Sequence, residues 1–320
     1  MITDIELELK HVTNIIGQQI VCMIEARRVA SSSTSVVIVV PPYAKAMRDL
    51  LVTSMYMSHN GFRAARFDSS NHVGLSDGRV FDFTLSSAVA DLQTFVASVR
   101  SWFPEAKIGV ITSSLGSRVA LRALKERADI HALVSLVGVV NVRATLHRVI
   151  GTDLIEQYTT EQSLPDSKEV LGYEIGSRFI VDIVETDIFS LESTKEDMRK
   201  CRFPIIEIAA ENDAWTDLQE VDDLFHSCNG SASRESYVLP STSHKLENNP
   251  SAARMALRLA VVVLKRELDG ERGGREDIAA PAFTEVVRRN RAEREIMRSS
   301  ATDRRVERRL GLAEPGLLQK

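Results

Sequence analysis

Ile108-Gly109-Val110-Ile111-Thr112-Ser113-Ser114-Leu115-Gly116 is the stretch whose reading decides the fold. Its first four residues suit a short strand. The chain from Leu115 to about Glu126 suits a helix, so Ser114 falls at a strand-to-helix junction. A tight turn there pushes a hydroxyl up at the sheet edge, as in the nucleophile elbow G-x-S-x-G. Strand and helix come close in such a turn, so small residues are needed two before and two after the serine. Gly116 meets the second requirement, whereas Thr112, larger and β-branched, stands at the first. A serine at a helix start is also an ordinary N-cap, so the motif alone does not assign a nucleophile.

Working outward, strands and helices alternate. Val36-Val37-Ile38-Val39-Val40 is a continuous β-branched run that suits a strand covered on both faces, and it stops at Pro41-Pro42. Residues 46 to 59 suit a helix closed by Asn60-Gly61, 62 to 67 a strand, 86 to 102 a helix with Leu92, Phe95 and Val96 at helical spacing, and 132 to 137 a buried strand. This cadence predicts a mostly parallel sheet with crossover helices on both faces. Before it, residues 18 to 25 suit a strand, and Ser31 to Ser35 a polar loop. The rhythm breaks between about Thr145 and Lys200 and resumes with strands at 205 to 210 and 236 to 239 and an apolar helix over 252 to 268. Sites in open α/β sheets lie at the strand C-terminal ends, so the long insert reads as a lid. The expected organisation is a core over 1–144, a lid over 145–200, more core over 201–268, and a charged tail over 269–320. Gly270, Gly273 and Gly274 mark a linker into that tail, and the segment from Arg288 to Arg309 reads as a solvated helix, with docking through Phe283, Val286 and Val287 as the rival.

Composition removes other classes. With 40 Lys and Arg against 44 Asp and Glu, the net charge of −4 argues against a nucleic-acid binder. No apolar stretch approaches ~18 residues, so no stable membrane insertion is expected. The opening MITDIELELK carries acids and does not read as a signal peptide. The three cysteines, Cys22, Cys201 and Cys228, are too few for a disulfide framework and lack C-x-x-C spacing, so neither a thiolate metal site nor a cofactor is expected. Cys22 and Cys201 read as packing thiols, and Trp102 as helix-face packing. A soluble globular protein of a reducing compartment, the cytoplasm, is the expectation that survives.

The order of polar residues along the chain then gives Ser114 its meaning. Glu211-Asn212-Asp213-Ala214-Trp215 follows one late strand, and Pro240-Ser241-Thr242-Ser243-His244 follows the next. Serine, acid, histidine is the order of the α/β-hydrolase triad. His244 is the only one of seven histidines between the last predicted strand and the last helix. Ser114 is therefore the expected nucleophile, His244 the general base and Asp213 its orienting acid. Glu211 is the rival acid; Asp213 is preferred because it lies further past the strand, with Trp215 available to pack behind it. The oxyanion needs backbone donors. Leu115 N–H supplies one, and the loop after Val40 the other. Pro41 and Pro42 have no N–H, which leaves Tyr43 or Ala44, with Ala44 favoured. Asp68 and His72 read as bracing of the loop beside the site.

Several segments together resemble one family. Phe67-Asp68-Ser69, His72-Val73-Gly74-Leu75-Ser76, Ser113-Ser114-Leu115 with Arg118-Val119-Ala120, Val137-Gly138-Val139-Val140-Asn141-Val142-Arg143, Asn212-Asp213 with Trp215, and Ser243-His244 are similar to the fatty acyl transferases of bacterial bioluminescence, thioesterases specific for myristoyl-acyl carrier protein. The resemblance spans roughly residues 8 to 268. It implies an α/β-hydrolase fold, an acylated Ser114 with Asp213 and His244 as partners, a long-chain acyl thioester of acyl carrier protein or CoA as donor, and an acyl-acceptor enzyme downstream. The chain departs from the family at Pro41-Pro42-Tyr43, where a Gly-aromatic pair is usual, at Gly116, and at Lys245, where an acid is familiar. Its lid matches only around Leu171-Gly172-Tyr173 and Gly176-Ser177. An acyl-transferring hydrolase of specialised metabolism, a carboxylesterase of small esters and a non-catalytic binding module are the alternatives.

Overall fold

The computed structural model of the protein describes residues 5–27, 35–228, 232–271 and 277–310, with side chains described as far as residue 299. The expected polar loop over Ser31 to Thr34 and the linker glycines Gly273 and Gly274 lie outside the described residues. The strands in chain order are β1 (Ile5–Thr13), β2 (Gln19–Arg27), β3 (Val36–Val39), β4 (Arg63–Phe67), β5 (Ile108–Ser113), β6 (Ile130–Leu136), β7 (Ser167–Val170), β8 (Tyr173–Gly176), β9 (Ile205–Ala210) and β10 (Arg234–Leu239). Eight of them form one sheet in the order β1-β2-β4-β3-β5-β6-β9-β10, while β7 and β8 pair as a separate hairpin. Pairing is antiparallel for β1 with β2 and β2 with β4, and parallel across the rest.

The expected β-branched run is the middle of this sheet. All four residues of β3 are buried, and they alternate between two apolar layers. Val36 and Ile38 join the layer of α2 (Leu85–Trp102) and α3 (Leu115–Leu124). Val37 and Val39 join the layer of α1 (Leu51–His59) and α9 (Pro250–Leu264). Burying a Val or Ile side chain stabilises by about 1.5–3 kcal/mol, so a strand with no polar face fits only where helices cover both sides. Caps set the helix starts: Thr84 accepts from Ser87 N–H at 3.0 Å and Asn249 from Ala252 N–H at 3.1 Å, with Pro250 at the first helical position.

The strand order reverses between β3 and β5. The chain leaves β3 toward β4 on one side, and leaves β5 toward β6 on the other, which opens a crevice at their C-terminal ends. Ser114 and the Pro41–Ala44 loop meet there. Between β6 and β9 the chain makes α4 (Val142–Ile150), α5 (Leu154–Glu161), the β7–β8 hairpin, α6 (Arg178–Glu185) and α7 (Leu191–Lys200); α8 (Leu218–Ser227) links β9 to β10. Among the described residues no helix is long and apolar enough to cross a membrane.

The tail departs from its reading as a solvated helix. It forms α10 (Phe283–Leu310), and this helix is docked. Arg289 and Glu293 are buried, Met297 packs on the cluster of Val21, Met23 and Met47, and Glu293 pairs with Arg66 of β4. Of the rival docking residues, Phe283 is 80% exposed and Val287 53%, and Val286 is half-buried. Charge pairing inside the interface, invisible to a hydrophobic pattern, holds the helix.

Candidate active site

Ser114 stands between β5 and α3 at φ 50° and ψ −131°. A non-glycine residue in such a region costs about 1–3 kcal/mol and persists where its neighbours fix it. They do so here: Ser114 N–H donates to Leu136 C=O at 3.1 Å, and Ser114 C=O accepts from Ser117 N–H and Val139 N–H, each at 3.0 Å. Thr112, the departure from the elbow motif, is compensated by Gly116. A Cβ on Gly116 would lie 2.4 Å from Thr112 Oγ1 and 3.1 Å from the Pro41 carbonyl oxygen, so the larger residue before the serine requires the missing side chain after it.

The structure brings the three expected side chains together. His244 Nε2 lies 2.8 Å from Ser114 Oγ, and His244 Nδ1 lies 2.8 Å from Asp213 Oδ2. Asp213 Oδ1 accepts from Trp215 N–H at 2.8 Å and Thr216 N–H at 2.9 Å, which fixes the carboxylate. With Nδ1–H donated to Asp213, Nε2 is free to accept the serine proton. Glu211 instead accepts from Ser241 N–H at 2.6 Å, in the turn that precedes His244. Trp215 packs on the His244 ring rather than behind the acid, with centroids 4.5 Å apart. Its carbonyl accepts from Thr145 Oγ1 at 3.0 Å and Arg148 Nη1 at 3.1 Å, tying the acid loop to α4.

Leu115 N–H opens α3, where a helix leaves its first amides without partners. Ala44 requires a correction. Its N–H donates to His72 Nε2 at 3.0 Å, so it is already engaged and is not the second oxyanion donor. The residue sits at φ 65°, which turns its amide toward His72. Among the described residues no acceptor takes Tyr43 N–H. His72 braces the loop as expected: burial holds its pKa down at about 4, so the ring stays neutral and keeps a lone pair for Ala44. Tyr43, His72 and Phe83 pack ring to ring with centroids 5.0–5.5 Å apart. Asp68 does not pair with His72. It accepts from Met47 N–H at 2.6 Å and Leu75 N–H at 2.7 Å.

A cavity of about 540 Å³ opens onto Ser114 and His244, walled by Val139, Val142, Leu146 and Val149, with Leu171 and Tyr173 of the β7–β8 hairpin also lining it. That volume lies within the roughly 300–1,000 Å³ of small-molecule sites. The cysteines take no part. Burial pushes the Cys22 and Cys201 thiols up to about 12, which keeps them unreactive. Sequence reading missed one polar group nearby. Glu207 interrupts Ile205-Ile206-Glu207-Ile208, and a lone acid in an otherwise apolar strand was the available signal.

The profile of a protein family described as Acyl transferase matches residues 7–298. Curated relatives named acyl transferase include one from Photobacterium phosphoreum, 30% identical over 73% of this chain and 76% of its own length. Another, from Vibrio campbellii, is 32% identical over 69% of this chain and 71% of its own. Among solved structures, an esterase of Butyrivibrio proteoclasticus with bound ferulic acid superposes with a TM-score of 0.67 at 15% identity, covering 82% of this chain and 100% of that one. An esterase of Pyrococcus furiosus superposes at 0.60 with 17% identity, covering 82% and 92%. At these identities the likeness concerns the fold alone, which is that of the α/β-hydrolases.

Proposed function

This chain belongs to the acyl transferase family, and on that premise we propose that it moves acyl groups through an ester on Ser114, with His244 as general base and acid and Asp213 as its orienting partner. The observation that carries this reading is the chain of two 2.8 Å contacts from Ser114 to His244 to Asp213 at the floor of an apolar cavity.

In the first half-reaction Ser114 Oγ attacks the acyl carbonyl carbon and passes its proton to His244 Nε2. The oxyanion takes hydrogen bonds from Leu115 N–H and Tyr43 N–H, the latter in place of Ala44. Collapse expels a thiolate, which receives the proton from the imidazolium. In the second half-reaction water or another hydroxyl or amine acceptor gives its proton to the same nitrogen, attacks the ester, and releases Ser114. The donor we propose is a long-chain thioester of acyl carrier protein or CoA. The 145–200 segment is proposed as the lid, since Leu146, Val149, Leu171 and Tyr173 wall the space where the chain would lie.

The test is intact-mass spectrometry after mixing with acyl thioesters. An acyl adduct should appear on Ser114 and be absent from Ser114→Ala, with turnover down by about 10³-fold or more. Full turnover by Ser114→Ala would overturn the reading. A strong preference for a short p-nitrophenyl ester over a long-chain thioester would replace the proposed donor with small esters.

A further inference from the structure

Glu207 lies within β9 with buried Ile205, Ile206, Ile208, Ala209 and Ala210 as its strand neighbours, and is itself 2% exposed. Its Oε1 accepts from Gly138 N–H at 2.7 Å. The Ser135 hydroxyl also bonds the carboxyl, and Ser135 Oγ is 2.7 Å from Ser117 Oγ. Among the described residues no lysine, arginine or histidine pairs with it. Burial raises its pKa to about 7 against the pull of those hydrogen bonds, and the charge of Asp213 raises it further. A buried carboxylate without a cation weakens a fold, and groups kept in that condition gather at functional sites.

Its partners point to the use. Gly138 belongs to the turn that follows β6. Val137 in that turn holds φ 46°, a strained value for a β-branched residue. Val139 N–H donates to the backbone carbonyl of Ser114 itself at 3.0 Å, and Val137 and Val139 both wall the cavity. A Cβ on Gly138 would meet Ser135 Oγ at 2.3 Å, Glu207 Oε2 at 2.7 Å and Ser117 Oγ at 3.0 Å, so only glycine fits over this polar cluster. The carboxylate therefore holds the strained turn that is bonded to the serine backbone. The charges around it are few. β6 and α3 present the hydroxyls of Ser135 and Ser117, α8 faces this layer with Val221 and Leu224 while its Glu220 bonds Asn141, β10 runs alongside with Ser236 in register, and the loop after β9 brings Asp213.

We propose that Glu207 is a positioning residue for acyl transfer: it clamps the turn from Val137 to Val139 against Ser114, and its negative charge, acting through the Asp213–His244 pair, favours the imidazolium that forms as Ser114 is acylated. This rests on Ser114 being the nucleophile.

The experiment measures the acylation burst of the full chain with a p-nitrophenyl acyl ester across pH 5.5 to 9. Glu207→Gln keeps a carbonyl acceptor for Gly138 N–H and removes the charge. It should slow the burst by about 3- to 10-fold at high pH, leave KM within about twofold, and move the midpoint of the pH–rate profile down by about half a unit or more. Glu207→Asp, which restores the charge, should return the midpoint. A slower burst with an unmoved midpoint, or no change in either, overturns the proposal. Ser114→Ala is run alongside. If it still gives a burst, the nucleophile assignment fails; if it gives none while Glu207→Gln leaves the midpoint in place, only the role of Glu207 fails.

Discussion

Two carboxylates are buried in the same sheet and are kept there by different means. Glu25 on β2 is fully buried and stands among charges. Arg289 Nη2 is 3.1 Å and Arg66 Nη2 3.8 Å away, Ser54 and Ser58 donate hydroxyls to it, and Glu293 of the C-terminal helix closes the group by pairing with both arginines. Two acids face two bases, so the cluster carries no net charge. Glu207 on β9 has two serines and an amide nearby and no base. The first arrangement joins the helix α10 to the sheet. The second leaves a charge uncompensated under the cavity. A buried acid thus reads as structural or functional according to what neutralises it, more than according to its depth.

The largest effect should come from unbalancing Glu25. Arg66→Met leaves Glu25 and Glu293 with Arg289 alone and frees the Met47 carbonyl that Arg66 Nη1 holds at 2.8 Å. Breaking a buried ionic group on one side costs about 3–5 kcal/mol, read as a lower urea midpoint. A loss below about 1 kcal/mol would mean that the cluster is not what holds α10.

Glu207→Gln should act with the opposite sign. The folded pKa of about 7 stands above the ordinary 4.5, so the folded state binds the proton more tightly than the unfolded chain. Stability from this group is present below pH 4.5 and is lost as pH rises through 7. The amide has no such loss. Its stability relative to wild type should therefore grow by about 3 kcal/mol between pH 4.5 and pH 8, measured by urea unfolding at each pH. A pH-independent difference would place Glu207 with Glu25 as a plain structural acid.

Why these two acids escaped notice in the sequence, while Ser114 did not, is a matter of range. The alternation of β-branched runs and helical spacing depends on neighbours in the chain, so the parallel core around β3, β5 and β9 was readable. The meeting of Ser114, His244 and Asp213 was readable because the three fall at strand ends in a fixed order. Ala44 could not be judged from sequence, because the acceptor that engages its N–H is His72, 28 residues away. The docking of α10 was hidden for the same reason. A helix of Arg and Glu reads as solvated unless the chain elsewhere supplies Glu25 and Arg66. Glu207 did leave a local mark, an acid inside an apolar strand, but its meaning needed Gly138, 69 residues back.

The smallest effect offers the finest division between the two acids. Ser135→Ala and Ser54→Ala each remove one hydroxyl donor from a buried carboxyl. A hydrogen bond to a charged group is worth about 1.5–3 kcal/mol, and a typical one about 0.5–1.5. At pH 8, Glu207 would keep only Gly138 N–H, so Ser135→Ala should cost about 2 kcal/mol. Glu25 would keep Ser58 and both arginines, so Ser54→Ala should cost about 1 kcal/mol or less. At pH 5 Glu207 is protonated, the bond from Ser135 is no longer charge-assisted, and the cost of Ser135→Ala should fall toward that of Ser54→Ala. Differential unfolding of the two variants at the two pH values measures all four numbers. Equal losses at pH 8 would mean that the charge of Glu207 is neutralised as fully as that of Glu25, and that the contrast between the two ends of the sheet is one of geometry rather than charge.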